Sequence, residues 1–202
     1  MVKILHEAGV PKDALLFVPG DGRIGAALTS HPKIDGVCFT GSTETAWAIN
    51  RTLAAKNGPI VPLIAETGGM NAMIVDATAL PEQVADDVVS SAFRSAGQRC
   101  SALRLLFVQE DVADKMVEMI EGAAGELTVG DPSLIETDIG PVIDAEQLRM
   151  LNEHIFAMRK GQKVRFAGKA PEEGLYFAPH IVELNKAEAL EREIFGPVLH
   201  VV

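Results

Sequence analysis

Short apolar runs alternate with amphipathic stretches along most of the chain. Runs of four to six mostly apolar residues cover positions 15–18, 36–40, 60–65, 72–75, 103–108, 164–167 and 199–202. Several of the stretches between them repeat apolar residues with the period of about 3.6 that is typical of a helix. This alternation is typical of βα units that build a parallel sheet. The pattern therefore predicts an α/β protein.

Capping residues and glycines predict where the helices begin and end. Ser42, Asp111 and Asp144 each precede an apolar stripe and can accept hydrogen bonds from the free N–H groups of a first helical turn. Gln147 forms a capping box with Asp144, and Pro81 suits a first turn because it has no N–H to satisfy. We expect helices at 1–8, 23–30, 43–57, 81–97, 111–123 and 144–161, and extended backbone at 176–184.

Length and composition are those of a folded protein with one or two domains. The chain has 202 residues, of which 48% are hydrophobic and 23% are charged, a balance that supports a buried core rather than disorder. Its formal net charge of −10 argues against a nucleic-acid surface, which needs a basic patch. The pair Gly68-Gly69 is the best candidate for a domain boundary. We therefore expect domains at 1–69 and 70–202.

The location of the protein is predicted from what the chain lacks. No apolar stretch reaches the roughly 18 residues that cross a bilayer, and the first residues do not form a secretory signal. Two cysteines, Cys38 and Cys100, are too few for a disulfide framework. We therefore expect a cytoplasmic protein with free thiols and no membrane insertion.

Two residues carry the strongest candidate chemistry. Cys100 follows a helix end in a loop beside Arg99, where a thiol can be exposed and nucleophilic; the alternative is a loop cysteine without a role. Glu66 ends an apolar strand and can act as a general base; the alternative is a solvated strand-end carboxylate. Cys38 lies within an apolar strand and is predicted to fill the core.

Two further segments could bind a cofactor. Gly41-Ser42 joins a strand to a helix, and free N–H groups at a helix N-terminus favour phosphate, although any strand-to-helix turn can have this composition. Glu193 and Phe195 combine a carboxylate with an aromatic ring, and the alternative there is an ordinary Gly-Pro turn. The five histidines show no spacing that would place two on one helix face, so we expect no metal site.

Four segments together resemble the signature set of the aldehyde dehydrogenase superfamily: FTGSTETA from Phe39, ETGGMN from Glu66, GQRCSA from Gly97 and EIFGPV from Glu193. Glu66 precedes Cys100 by 34 residues, which agrees with the family pattern. The sequence around these segments is most similar to the glutamate-semialdehyde (1-pyrroline-5-carboxylate) dehydrogenase module of bifunctional bacterial proline-utilization enzymes. The resemblance covers the chain from Ala8 to Val202.

The resemblance implies a three-layer α/β/α fold that covers the end of a Rossmann-like NAD domain and most of a catalytic domain. It implies that Cys100 attacks an aldehyde and that Glu66 activates the water that releases the product. The cofactor would be NAD; FAD would belong only to a separate proline dehydrogenase module. The remaining roles would be pyrophosphate binding at Gly41 and Ser42, nicotinamide approach at Gly68, ribose binding by Glu193, nicotinamide contact by Phe195 and substrate carboxylate binding by Ser101.

Departures from the family pattern leave other functions open. Ala46 stands where most members have a second glycine, and the asparagine of the oxyanion hole and the lysine of the adenosine ribose site cannot be identified. We therefore expect a fragment that is inactive or nearly so and that self-associates through its open sheet edges. The alternatives are another semialdehyde dehydrogenase, for example for succinate semialdehyde with NADP, and a truncated relic or binding module without catalysis.

Overall fold

Gly68 and Gly69 mark the point at which the chain divides into two units. The computed structural model describes residues 1–202, and its units are Met1–Gly68 and Gly69–Val202. Each unit alternates helices with strands, so the predicted α/β class is confirmed. The assignment of the units to cofactor and thiol domains stays a prediction. None of the helices is long and apolar enough to cross a membrane.

The first unit is built around two parallel strands. Its elements are α1 (Val2–Glu7), α2 (Gly22–Ser30), β1 (Val37–Thr40), α3 (Thr43–Ala54) and β2 (Leu63–Glu66). Parallel neighbours need a crossover connection, which α3 supplies. Thr40 lies opposite Glu66 in the register, so both strands end at the same edge. Ser42 caps α3 as predicted, since its side chain accepts a hydrogen bond from the Thr45 N–H at 3.2 Å.

The second unit contains a five-stranded mixed sheet. Its elements are β3 (Asn71–Val75), α4 (Pro81–Phe93), β4 (Leu103–Val108), α5 (Glu110–Gly125), α6 (Ala145–Gly161), β5 (Lys163–Ala167), β6 (His180–Glu183) and β7 (Val198–Val201). The sheet order is β3-β4-β7-β6-β5, and only the β5–β6 pair is antiparallel. The Asp144 cap of α6 is confirmed by a 2.8 Å hydrogen bond from the Gln147 N–H. The reciprocal bond of a capping box is not formed, because the Gln147 side chain donates to the Phe195 carbonyl instead.

The core of the second unit lies around its central strands. Helices α4 and α5 pack against each other and against β4, and α6 packs on β5. The central strands β4, β6 and β7 are buried on both faces and mostly apolar, as expected for the interior of a sheet. Arg104, His180 and His200 are the polar residues buried in them. The fully buried apolar residues include Val88, Leu106, Ile120, Ile181, Val198 and Leu199. This core fixes the ends of β4 and β7, which border the loops that carry the candidate chemistry.

Two predictions about apolar segments are wrong. The run at 15–18 pairs with no strand, and Leu16, Phe17 and Val18 are exposed. Cys38 is also exposed rather than part of the core. In β1 burial alternates between half-buried and exposed positions, because successive side chains point to opposite faces of a strand. Cys38 lies on the open face of β1.

Two helix boundaries also differ from the prediction. Helix α4 ends at Phe93, and residues Arg94–Gly97 form a separate 3₁₀ turn rather than its last turn. Helix α5 begins at Glu110 after Gln109, so Asp111 is in the first turn and is not the cap. A carboxylate in that position still complements the positive end of the helix dipole.

Replacement of Leu106 by alanine tests the packing of the second unit. Leu106 has no exposed surface, so truncation leaves a cavity, and we expect the free energy of unfolding to fall by about 2–5 kcal/mol. Urea denaturation followed by circular dichroism measures this change. Ile74→Ala is the matched control: Ile74 is 83% exposed, and its variant should stay within about 0.5 kcal/mol of the parent. Equal losses would show that Leu106 does not lie in the core.

Candidate active site

Cys100 is exposed on a tightly turned loop between α4 and β4. The turn before it holds three consecutive residues in the left-handed region, Ser95 (φ 56°), Ala96 (φ 53°) and Gly97 (φ 63°). Non-glycine residues in this region cost about 1–3 kcal/mol each and persist only where the surroundings determine them. The loop of Cys100 therefore has a defined conformation that other contacts must maintain.

Gly97 packs directly against the backbone of the segment 193–197. A Cβ atom at Gly97 would overlap with the carbonyl group of Gly196 and approach Pro197. Glycine is therefore required at this position both for its positive φ and for the close approach. The contact brings two of the sequence motifs, GQRCSA and EIFGPV, side by side.

Asn71 fixes the backbone at the thiol residue and just after it. Its Nδ2 donates hydrogen bonds to the carbonyl of Cys100 at 2.7 Å and to the carbonyl of Ala102 at 2.9 Å. Asn71 is the first residue of β3, the strand next to β4. The side chain of Asn71 thus fixes the position of the Cys100 loop relative to the sheet.

Arg104 connects the thiol loop to the segment 193–197 from below the surface. Its side chain has no exposed area. The guanidinium donates to the carbonyl of Arg99 at 3.0 Å, to the carbonyl of Gly196 at 3.1 Å and to Oε1 of Glu193 at 2.9 Å. Burial lowers the pKa of Arg104, and the hydrogen bond to Glu193 opposes that effect. All three nitrogens of this buried cation have partners, since Nε also approaches Oε1 at 3.3 Å.

Glu193 and Phe195 lie beside the thiol loop and remain accessible. The Glu193 side chain is 18% exposed, and the Phe195 residue is 36% exposed. The Arg104 guanidinium carbon lies 5.4 Å from the centre of the Phe195 ring, within the range of a cation–π contact. Gln147 donates to the Phe195 carbonyl at 2.6 Å. The carboxylate and the ring are therefore held by side chains from β4 and α6.

Gln98 attaches the thiol loop to a third segment. Its Oε1 accepts a hydrogen bond from the Ile143 N–H at 2.8 Å, and its Nε2 donates to the Pro141 carbonyl at 3.3 Å. These contacts join the loop to the segment before α6. The loop is thus anchored to β3, β4, the segment 193–197 and the segment 141–143.

A histidine pair, of which His200 is buried and His154 half-buried, contacts the backbone of Arg104. The Nε2 atoms of His154 and His200 are 2.9 Å apart, and Nδ1 of His200 lies 3.2 Å from the Arg104 carbonyl. Because one Nε2 must accept the hydrogen bond, at most one of the two rings can be charged. Burial, followed by the charge of Arg192, lowers the pKa of His154 to about 4. Burial, followed by the charge of His154, lowers the pKa of His200 to about 3.

The other predicted site residues lie in the first unit, at the shared edge of β1 and β2. The Gly41 N–H donates to the Glu66 carbonyl at 3.1 Å, so the two predicted residues are neighbours. Ser42 begins α3, whose first N–H groups have no acceptor within the helix. This strand-to-helix turn fits a phosphate, because carboxyl ends of parallel strands and helix N-termini are where nucleotides bind. Gly68 follows two residues after β2.

The structure groups the predicted residues by unit. Cys100, Ser101, Glu193 and Phe195 belong to the second unit, whereas Gly41, Ser42, Glu66 and Gly68 belong to the first. Ser101 is exposed next to Cys100. Glu66 is exposed as well. No group of three or more side chains is placed to hold a metal ion.

Sequence reasoning missed the residues that hold the site together. These are Asn71, Gln98, Arg104 and Gln147. A signal existed for Arg104, because an arginine inside the apolar strand 103–108 must be buried and must therefore find partners. The three amides gave no comparable signal, since an amide side chain in a loop or at an element end is usually solvated.

Comparisons with known proteins agree with the motifs. The model of the aldehyde dehydrogenase family matches residues 1–202. The bifunctional protein PutA of Klebsiella aerogenes is 52% identical over 213 aligned positions, which cover 100% of this chain and 16% of that protein. A crystal structure of a bifunctional proline utilization A (PutA) protein superposes with a TM-score of 0.98 at 70% identity, covering 100% of this chain and 20% of that one.

A second solved structure is more distant in sequence. The 1-pyrroline-5-carboxylate dehydrogenase from Thermus with bound NAD superposes with a TM-score of 0.92 at 36% identity. The match covers 100% of this chain and 40% of that protein. This chain therefore spans less than half of the length of each of these relatives.

Gly97→Ala tests the contact between the two motifs. The added Cβ would overlap with the Gly196 carbonyl, and the backbone at a φ of 63° is unfavourable for alanine. We expect unfolding to become easier by at least about 2 kcal/mol. Gly122→Ala is the control: it lies within α5 with open space around it, so alanine should stabilise the helix by about 0.5–1 kcal/mol. Thermal unfolding separates the two, and opposite signs are expected.

The histidine pair predicts how stability changes with pH. The pKa values of both rings are lowered in the folded chain, so between pH 6.5 and pH 4 the unfolded chain binds protons that the folded chain does not. The free energy of unfolding must therefore fall as the pH falls through this range. We expect His154→Gln to reduce the loss between pH 7 and pH 5 by about 1 kcal/mol, after allowance for solvent screening.

The matched control for this measurement is His31→Gln, since His31 is exposed. Urea unfolding at pH 7, 6 and 5 compares the three proteins. A His154→Gln variant with the same pH slope as the parent would show that the pair does not titrate as described.

Proposed function

Because this chain belongs to the aldehyde dehydrogenase family, we propose that it is a segment of an NAD-dependent enzyme that oxidises L-glutamate γ-semialdehyde to L-glutamate. The semialdehyde is the open form of 1-pyrroline-5-carboxylate, and the reaction would serve proline catabolism in a bifunctional enzyme. The observation that carries the proposal is the exposed thiol of Cys100 on a loop fixed by Asn71 and Arg104. Relatives named PutA and 1-pyrroline-5-carboxylate dehydrogenase support the choice of substrate.

An aldehyde needs a covalent partner before it can lose a hydride. It has no hydroxyl oxygen whose electrons could expel the hydride, and attack by the Cys100 sulfur creates one. The sulfur adds to the carbonyl carbon to form a thiohemiacetal. Loss of a hydride from that carbon and of the proton from its hydroxyl then leaves a thioester. Cys100 is exposed, as an attacking thiol must be, and its backbone is fixed by Asn71.

Release of the product needs an activated water molecule. Glu66 would accept a proton from water, whose oxygen then attacks the thioester carbon and restores the thiol. The carboxylate of Glu66 is exposed at the end of β2 and can therefore be reached by water. Ser101, exposed beside Cys100, would donate a hydrogen bond to the α-carboxylate of the substrate.

Each unit carries residues that would contact a dinucleotide. NAD, when bound, supplies the acceptor for the hydride. Gly41 and Ser42 would bind the pyrophosphate at the start of α3, and Gly68 would leave room for the nicotinamide. Glu193 would bind the nicotinamide ribose through a carboxylate that Arg104 holds in place, and Phe195 would contact the ring.

Substitutions at Cys100 and Glu66 test this function in the longer enzyme of which this chain is the proposed segment. We expect NADH formation with L-glutamate γ-semialdehyde, and a kcat at least about 10³-fold lower in Cys100→Ser, because a hydroxyl is a far weaker nucleophile. Glu66→Gln should lower kcat by about 10²–10⁴-fold through slow release of the acyl group. The isolated chain should be at least about 10²–10³-fold less active, since it lacks a recognisable oxyanion-hole asparagine.

Cys38→Ser is the matched control, because Cys38 is exposed on β1 and has no place in the proposed chemistry. Its kcat and KM should equal those of the parent. Succinate semialdehyde serves as the comparison substrate and should be oxidised more slowly. Full activity of Cys100→Ser, or faster turnover of succinate semialdehyde, would contradict the proposal.

A further inference from the structure

We propose that Arg104 is a positioning residue of the dehydrogenase reaction, which holds the thiol loop and the Glu193 carboxylate in one fixed arrangement. The proposal rests on the function given above, and it adds a residue to which the motifs assign no role. Arg104 lies within β4, between the loop of Cys100 and the core. It makes no hydrogen bond to the thiol and has no exposed area, so we assign it a role through the groups that it binds.

The guanidinium joins two segments that are distant in sequence. Arg99, whose carbonyl it binds at 3.0 Å, belongs to the thiol loop, whereas Glu193 and Gly196 belong to the segment that follows β6. An arginine presents five N–H donors in a rigid fork, so the positions of its acceptors are fixed relative to one another. A shift of one segment relative to the other would therefore break some of the hydrogen bonds to the guanidinium.

Burial of this cation argues for a role beyond packing. Arg104 has no exposed area, and a buried ion pair is often no more stabilising than well-packed apolar residues of the same volume. The neighbours of Arg104 in β4 are apolar, and the strand would continue its apolar run without it. What the arginine adds is a defined geometry between the thiol loop and Glu193.

The ion pair is asymmetric in a way that leaves one oxygen of Glu193 for a ligand. Both Nε and Nη2 of Arg104 bind the same carboxylate oxygen, Oε1. Oε2 has no hydrogen-bond partner in the protein, and the side chain is 18% exposed. Arg104 therefore orients the carboxylate and leaves Oε2 as a free acceptor, which suits the hydroxyl groups of a ribose.

Fixed geometry matters most for the transfer of hydride. That step needs the carbon on the Cys100 sulfur and the cofactor to be held in register, and a misplacement of about 1 Å can cost about 10²-fold in rate. Attack of the thiol on a small activated ester has no such requirement, because the ester diffuses freely to the sulfur. Loss of Arg104 should therefore separate the two reactions.

The experiment compares Arg104→Met and Arg104→Lys in the longer protein with three measurements. NAD affinity is measured without aldehyde, hydride transfer in a single turnover, and acylation of Cys100 with p-nitrophenyl acetate without NAD. We expect Arg104→Met to weaken NAD binding about tenfold and to slow hydride transfer about 10²-fold, while acylation changes less than about threefold. Arg104→Lys should recover part of both losses, since it keeps the charge but not the fork.

Glu193→Gln and the double variant Arg104→Met/Glu193→Gln show whether Arg104 acts through Glu193. If it does, the double variant binds NAD no more weakly than Arg104→Met alone, because coupled residues are not additive. Glu193→Gln leaves the bonds of Arg104 to the loop in place, so it tests the proposal even if Arg104→Met does not fold. Arg165→Met is the control: Arg165 also pairs with carboxylates, those of Glu121 and Glu183, and should leave NAD binding unchanged.

Two results would overturn the proposal. Equal losses of acylation and hydride transfer in Arg104→Met would show a merely structural role, and unchanged NAD binding in both Arg104→Met and Glu193→Gln would show that the pair does not position the cofactor site. A wrong choice of aldehyde would show itself differently. The parent would then fail to oxidise L-glutamate γ-semialdehyde, whereas NAD binding and acylation would still report on Arg104.

Discussion

The arrangement of the thiol side of the candidate site depends on the buried guanidinium of Arg104. Its hydrogen bonds reach the loop of Cys100 through the Arg99 carbonyl and the segment 193–197 through Glu193 and the Gly196 carbonyl. A charge without exposed area is costly unless every donor is satisfied. A displaced segment would leave part of the buried cation unpaired. Other arrangements of the two segments are therefore less stable.

The fold supplies the rigid surroundings that this arrangement needs. Arg104 lies in β4, a central strand of the sheet. Asn71 binds the Cys100 loop from the neighbouring strand β3. Ser95 and Ala96, in the left-handed region before Cys100, carry a conformational cost, which the close contact of Gly97 with Gly196 and the bonds from Gln98 offset. An exposed thiol is thus presented on a loop whose backbone has little freedom, as attack on a positioned carbonyl would require.

Much of the fold follows from local patterns in the sequence. Period and capping chemistry predicted β4, the cap of α3 at Ser42 and that of α6 at Asp144, because those signals involve residues close in sequence. The run at 15–18 and Cys38 were wrong for the opposite reason: whether an apolar strand is paired or covered depends on distant segments. Motifs predicted the candidate functional residues, whereas the contacts of Arg104 and Asn71 are visible only in the tertiary structure.

The proposed reaction requires Cys100 to form a covalent bond with the carbonyl carbon of the substrate. The most direct test is acid quenching of the longer protein during turnover of the semialdehyde with NAD, followed by peptide mapping with tandem mass spectrometry. The account predicts a glutamyl group, attached as a thioester, on the peptide that contains Cys100. An acyl group on another residue, or none on Cys100 while NADH accumulates in the first turnovers, would contradict it.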